Sequence, residues 1–509
     1  MKKLSVSLLA VLAVSCSGNL DSLMVSPARK ASGVNPDTHL QIVFAPGSGV
    51  KAGNSGKIRV FDARTGEVVD SLDMAVPAGP VRGRQYPPEC DYTKVPYDYT
   101  RTVMATNKNT VPGTPSGTGE PNPPEYQLNI IGGFTDAFHF YPIMVSDDVA
   151  TIYLHNNMLE YGHEYYVTMD PEVLVTDNGS FKGVTKADRW KFRTKAQGPA
   201  ADADTLRVEA DGSGDFCTVQ GAMDHIKDWS SRMTVVLVGP GDYLELVYFR
   251  NKSNVKIKGA GKDLTKIHYP NNEVFNPHPL LVKTNEWPGT FPSRRAPFAV
   301  DNCTDILLED LTVATDCRGQ AEGILINGER VAMNRVRIIG DGDALQANGT
   351  IYMTDSELIG GGDTILGRGT LFAVNSLFVN HGGPFSYVRN TAGHHGDILV
   401  DCTVMSDNPD IPANFGRTGT RTSLPYPAAE FVLIDCKLKN VAPEGWGYLA
   451  QKTQVMLEYN STDLDTGKPV DVSKRHKWSR QLRADRDGAL IANYRNPAWV
   501  LGGWIPELW

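Results

Sequence analysis

The chain has 509 residues, a formal net charge of −8, 41% hydrophobic and 21% charged residues. That length exceeds one ordinary compact domain, and the acidic balance gives no general attraction to nucleic acid or to anionic membranes. Its 49 glycines and 32 prolines point to many turns and short strands, so an all-β chain is expected, and a polyanionic ligand would need a local basic cluster.

At the N-terminus Lys2 and Lys3 precede an apolar stretch from Leu4 to Val14, which ends in Ala13-Val14-Ser15-Cys16. The stretch is too short to span a bilayer and reads as a signal peptide. Its small residues before a cysteine resemble a bacterial lipobox, which implies cleavage before Cys16, lipidation of its thiol and anchoring at the outer membrane or cell surface. With an ordinary signal peptide the protein would be periplasmic. The six later cysteines, Cys90, Cys217, Cys303, Cys317, Cys402 and Cys436, match no metal spacing and define no pairing. Cys303, Cys402 and Cys436 each follow Asn or Asp at the end of a β-like run, as small buried residues would.

Residues 1–19 form this leader and anchor region, and residues 20–196 form a first unit. Runs such as Leu40 to Phe44, Lys57 to Phe61, Thr151 to Leu154 and Tyr165 to Met169 alternate apolar with polar residues between turns, the pattern of a β-sandwich. The opening Pro36-Asp37-Thr38, Tyr161 to Val167 and the closing Trp190 to Thr194 resemble a bacterial Ig-like domain. A stretch near 77–124, including the low-complexity Pro112 to Pro124, reads as an insertion, and 197–204 as a linker.

From Thr205 onward, short β-branched runs are separated by Gly, Asp and Asn. Those starting at Val331, Ile351 and Leu371 repeat every 20 residues without helical periodicity, and they are uniformly apolar where a sandwich of evenly spaced hairpins would alternate, which favours a β-solenoid over that sandwich. Asp343 and Asp363 share that period. On neighbouring strands they would lie about 4.8 Å apart and repel by about 3.5 kcal/mol at an effective dielectric of 20. Such a pair divides into one ionised and one protonated acid, unless both are only Gly-Asp turn residues.

Asp211 to Phe216 with Thr218-Val219-Gln220, Gly241-Asp242-Tyr243-Leu244-Glu245, Gln320-Ala321, Asp363 to Gly367, Phe415-Gly416-Arg417, Glu444-Gly445-Trp446 and Gly503 to Pro506 form an ordered series. Over nearly all of 205–509 this series resembles the pectin methylesterases. The resemblance implies a right-handed parallel β-helix that hydrolyses methyl esters of galacturonic acid units in pectin, with no cofactor or metal. It implies Asp363 as nucleophile, Asp343 as general acid and then base, Arg417 as the partner of Asp363, and Gln320 as an oxyanion donor.

Three departures stand out. Gly342 replaces the Gln usual before the acid, Thr364 replaces an aromatic residue after the nucleophile, and Thr418-Gly419 replaces Pro-Trp. Trp446, Tyr387, Phe385 and Tyr448 are candidate replacement platforms for sugar or else buried packing, Thr364 is also expected near substrate, and Arg368, Arg389 and Lys252 are uronate contacts or else solvated surface. His381 and His394-His395 lack the spacing of a metal site. The expected partner is pectin or homogalacturonan, engaged by a monomer. Two rival readings are a pectin-cleaving glycosidase or lyase on the same coil, and a surface glycan-binding protein that has lost the chemistry.

Overall fold

The computed structural model describes residues 23–79, 126–132, 138–273, 275–276, 294–318, 321–418, 426–450, 452 and 454–508. The leader with Cys16, most of the 77–124 stretch, Gln320 and Gly419 lie outside the described residues. Among the described residues no helix is long and apolar enough to cross a membrane.

The first unit consists of two main sheets. Met24–Ser26, Leu40–Val43, Val149–Ile152 and Ile143–Ser146 form one; Ala31–Val34, Lys191–Thr194, Glu164–Met169, Lys57–Asp62 and Val68–Asp73 form the other. Pairing is antiparallel except for Lys191–Thr194 beside Ala31–Val34. In Lys57–Asp62 the buried Ile58 and Val60 alternate with the more exposed Lys57 and Arg59, so one sheet face turns inward. Leu40, Ile42, Val60, Val167, Trp190 and Phe192 form the shared core. The Trp190 indole N–H donates to the Pro27 carbonyl at 2.9 Å, which satisfies the one polar atom of that buried ring.

From Thr205 the chain winds into a parallel β-helix with three strand faces. One runs from Thr205–Val208 to Val455–Tyr459, and a second from Gly241–Leu244 to Lys437–Lys439 and Thr462–Asp463. The third includes Val247–Arg250, Asp343–Ala347, Asp363–Gly367, Pro384–Val388 and Asn414–Arg417. Val331 pairs with Ile351 and Ile351 with Leu371, so the 20-residue period is the length of one coil. Leu371 then pairs with Asp397, because later coils carry longer connections.

Several β-branched runs that are continuous in sequence are each two strands joined at a corner. Ile351 to Ile359 divides into Thr350–Thr354 and Glu357–Gly360, and Phe431 to Leu438 into Glu430–Ile434 and Lys437–Lys439. The corner residue has positive φ in every coil from Arg335 through Asp355, Asn375, Asp401 and Asp435 to Asn460. Asn and Asp enter this region at lower cost than most residues, which explains their recurrence. The residue after each corner turns inward: Val336, Ser356, Ser376, Cys402, Cys436 and Ser461 are all buried. Small side chains fit there, and the Ser376 hydroxyl accepts from the Ser356 N–H at 3.2 Å. Cys303 follows Asn302, also at positive φ, at the different corner between the third face and the first, and Cys303, Cys402 and Cys436 are free buried thiols.

The runs are apolar on their outer side as well where other elements cover them. Helices Ala484–Tyr494 and Pro497–Val500 cover part of the coil's outer surface, where Ile491, Tyr494 and Val500 pack on Phe372, Ile398, Val432 and Ile434. Phe378 lies in the coil interior with no exposed surface. Phe378→Ala is therefore expected to lower the stability of the coil by about 3–5 kcal/mol, measured as an earlier urea midpoint.

The two units meet at the start of the coil. Thr218 caps the helix Val219–His225 by accepting from the Gly221 N–H at 3.0 Å, while the Glu245 carboxylate accepts from Val219 at 2.8 Å and Gln220 at 3.0 Å. From the first unit, Asp37 accepts the Cys217 and Thr218 N–H groups and the Thr218 hydroxyl at 2.8–2.9 Å.

Candidate active site

On the third face Asp343 and Asp363 are direct register partners, each opening its strand. Gly342 and Gly362 precede them with φ of 82° and 51°. An L side chain is strained in this left-handed region, so the backbone here favours glycine where the resemblance expects Gln before the acid.

The two carboxyl groups have different surroundings. Asp363 accepts a two-pronged contact from Arg417, Nε to Oδ1 at 2.8 Å and Nη2 to Oδ2 at 2.5 Å. Both Asp363 oxygens act as acceptors, the arrangement of a carboxylate paired with a guanidinium. Asp343 is only 6% exposed. Burial first, then the negative charge of Glu322, pushes its carboxyl up to about 8, with Asp363 adding in the same direction and Arg295 and Arg389 opposing. At neutral pH Asp343 therefore carries its proton while Asp363 is held beside a cation.

Tyr387 stands behind Asp363, with the Arg417 guanidinium 4.0 Å from its ring centroid and that of Arg389 at 4.7 Å. Register pairs Gly367 with Val388, which brings Arg368 and Arg389 to matching places on adjacent coils. Burial and then the Arg368 charge pull the Arg389 pKa down, and Arg389 Nε and Nη2 are buried without a hydrogen-bond acceptor. Asn327 and Asn348 extend a polar ladder to this corner: the Asn348 amide donates to Asn327 at 2.9 Å, and its oxygen accepts the Arg368 N–H at 3.1 Å. The side chain of Gln320 is not described, but its neighbour Ala321 exchanges backbone hydrogen bonds with Asp341, two residues before Asp343.

Some expected sugar contacts are corrected. Trp446 is packed inside the coil against Phe415 and Phe431, because a large ring fills the interior where the third face ends. Thr364 is buried, and its hydroxyl accepts from the Asn380 amide at 2.7 Å, so it faces inward. Phe385 is likewise core. Lys252 is buried at another corner, donating to Asp228 at 2.7 Å and to the Ile226 carbonyl. Tyr448, by contrast, is 69% exposed.

The sequence reading missed Arg295, Glu273 and Glu322. Arg295 Nη2 lies 2.6 Å from Glu322 and 3.6 Å from Asp343, and its Nη1 lies 3.4 Å from Glu273. The available signal was Glu322 itself, a charge inside an otherwise apolar run two residues after Gln320. His381 pairs with Asp407 and His395 with Glu430, and among the described residues no group of three His, Cys, Asp or Glu could hold a metal.

A protonated acid beside a carboxylate can pair nucleophilic attack with protonation of a leaving group. The chain belongs to the pectinesterase family, whose family model matches residues 205–494, and is a carboxylic ester hydrolase. Pectinesterase 31 of Arabidopsis thaliana is 25% identical over 298 residues, covering 56% of this chain and 90% of the relative. Among solved structures, pectin methylesterase from carrot is 19% identical with a TM-score of 0.49, covering 58% of this chain and 93% of its own. Pectin methylesterase PemA from Erwinia chrysanthemi is 17% identical with a TM-score of 0.47, covering 60% and 98%.

Proposed function

We propose that this protein hydrolyses methyl esters of galacturonate units in pectin, with Asp363 as nucleophile and Asp343 as acid and then base. The observation that carries this reading is the register pair itself, one carboxylate held by Arg417 beside one buried, protonated acid. An Asp363 oxygen attacks the ester carbonyl carbon, the bond to methoxide breaks, and the Asp343 proton leaves with methanol. The resulting anhydride links Asp363 to the uronate. Asp343, now a carboxylate, takes a proton from water; the hydroxide attacks the anhydride, releasing the uronic acid and restoring both aspartates.

Arg417 keeps the nucleophile charged and oriented. Gln320 is assigned the oxyanion contact by its place in the family motif. Tyr387, the buried Arg368 and the half-buried Arg389 supply a surface for the uronate, where Arg389 Nε and Nη2, which lack an acceptor, favour an incoming carboxylate. The first unit acts as a spacer of Ig-like type, with Cys16 as the lipid attachment site of a monomer at the bacterial outer membrane or cell surface.

The test is product analysis on methylated galacturonan. Methanol without new reducing ends or unsaturated uronates supports the esterase, whereas chain cleavage without methanol, or tight binding without turnover, replaces it with one of the rivals. Because Asp343 acts first as an acid, its proton must be present. The rate is therefore expected to fall as pH rises through about 8, and a kcat–pH profile checks this.

A further inference from the structure

On the third face Phe298 pairs with Ile324, Ile324 with Leu345 and Leu345 with Ile365. Two residues back along this register stand Ala296, Glu322, Asp343 and Asp363. Three acidic residues thus occupy matching places on successive coils, with Arg295 near one end and Arg417 on Asp363 at the other.

Glu322 is completely buried, and burial raises its pKa while Arg295 opposes that shift. Two such carboxyls beside one guanidinium do not both ionise readily; as a unit they retain one proton. Arg295 decides where that proton sits. Its 2.6 Å contact with Glu322 is an ion pair, whereas the 3.6 Å separation from Asp343 is too long for a hydrogen bond. The charge therefore rests on Glu322 and the proton on Asp343. The Arg295 Nη2 already lies within reach of both carboxyls, at 2.6 Å and 3.6 Å, and its buried Nε has no acceptor that fixes it to Glu322.

We propose that Glu322 and Arg295 are positioning residues that hold the acid form of Asp343: Glu322 occupies the arginine at rest, and the arginine turns to Asp343 once its proton has left with methanol. Asp343 becomes an anion in a buried place at that moment, and a cation already beside it spares the cost of an unpaired buried charge. The other charged groups facing Asp343 are Asp363, with its partner Arg417, and Arg389; Glu273 faces Arg295 from the far side. None of these is placed to compensate both states as Arg295 is.

The inference rests on Asp343 as the acid, so Asp343→Asn is the control that separates the two readings. Glu322→Gln removes the charge that engages Arg295 and leaves the arginine to Asp343. The alkaline limb of the kcat profile is expected to move down by at least about one pH unit, with KM changing less than about twofold. Glu273→Gln, at a half-exposed site, should shift the limb the same way by less, and it decides the matter if the first variant does not fold. Limbs unmoved in the folded variants, with Asp343→Asn inactive, overturn the role of Glu322 and Arg295 alone. Methanol release by Asp343→Asn at the wild-type rate overturns the acid assignment and this proposal with it.

Discussion

Asp363→Asn abolishes methanol release, with kcat expected to drop on the order of 10⁴-fold or more, while the variant remains folded. An amide oxygen is a poor nucleophile and cannot form the anhydride that carries the reaction forward. The substitution preserves shape, and the amide oxygen still accepts one of the two Arg417 bonds. Arg417 is left without a full counter-charge, but its side chain is 33% exposed and water can compensate it. The stability cost is accordingly expected at about 1 kcal/mol or less, read as a nearly unchanged melting transition. Methanol release at the wild-type rate would falsify the nucleophile assignment, whatever the fate of the rest of the site.

That pair was legible because a solenoid turns sequence period into spatial proximity. Residues 20 apart on coils of that length must be neighbours, and Asp343 and Asp363 are register partners for the same reason as Val331 and Ile351. Arg417 lies 54 residues beyond Asp363, across coils of unequal length, so no period reaches it; only the motif Phe415-Gly416-Arg417 did. Arg295 was invisible for a related reason. It lies 27 residues before Glu322, in a coil that has no 20-residue repeat, and the pair Arg294-Arg295 carries no motif, while arginines are mostly exposed. The aromatic residues failed differently. Trp446, Tyr387, Phe385 and Tyr448 each fit a sugar platform or buried packing; Trp446 is core and Tyr448 is exposed, and only the winding of the coil decides between inside and outside. The strand runs are continuous in sequence because a single Asp or Asn at positive φ does not interrupt hydrophobicity, although it turns the chain through a corner.

Asp343→Asn carries the second large effect, and its value lies in where the loss falls. Without a proton to give, the site expels methoxide unaided, and a lost general acid typically costs about 10²–10⁴ in rate. Methanol release from methylated galacturonan should fall by the upper part of that range, because the same residue is also the base for the second step. A p-nitrophenyl ester of a short galacturonide needs no protonation of its leaving group. With that substrate the variant should give a rapid burst of p-nitrophenol, close to one equivalent per protein, and then stall as the unhydrolysed anhydride on Asp363. With methylated galacturonan, whose leaving group does need the proton, the alkaline limb near pH 8 should vanish from the residual rate, since the group that titrates there is gone. A limb that survives in Asp343→Asn would assign the titration to another group. Equal losses on both esters, without a burst, would mean that Asp343 holds the shape of the site and does not move a proton.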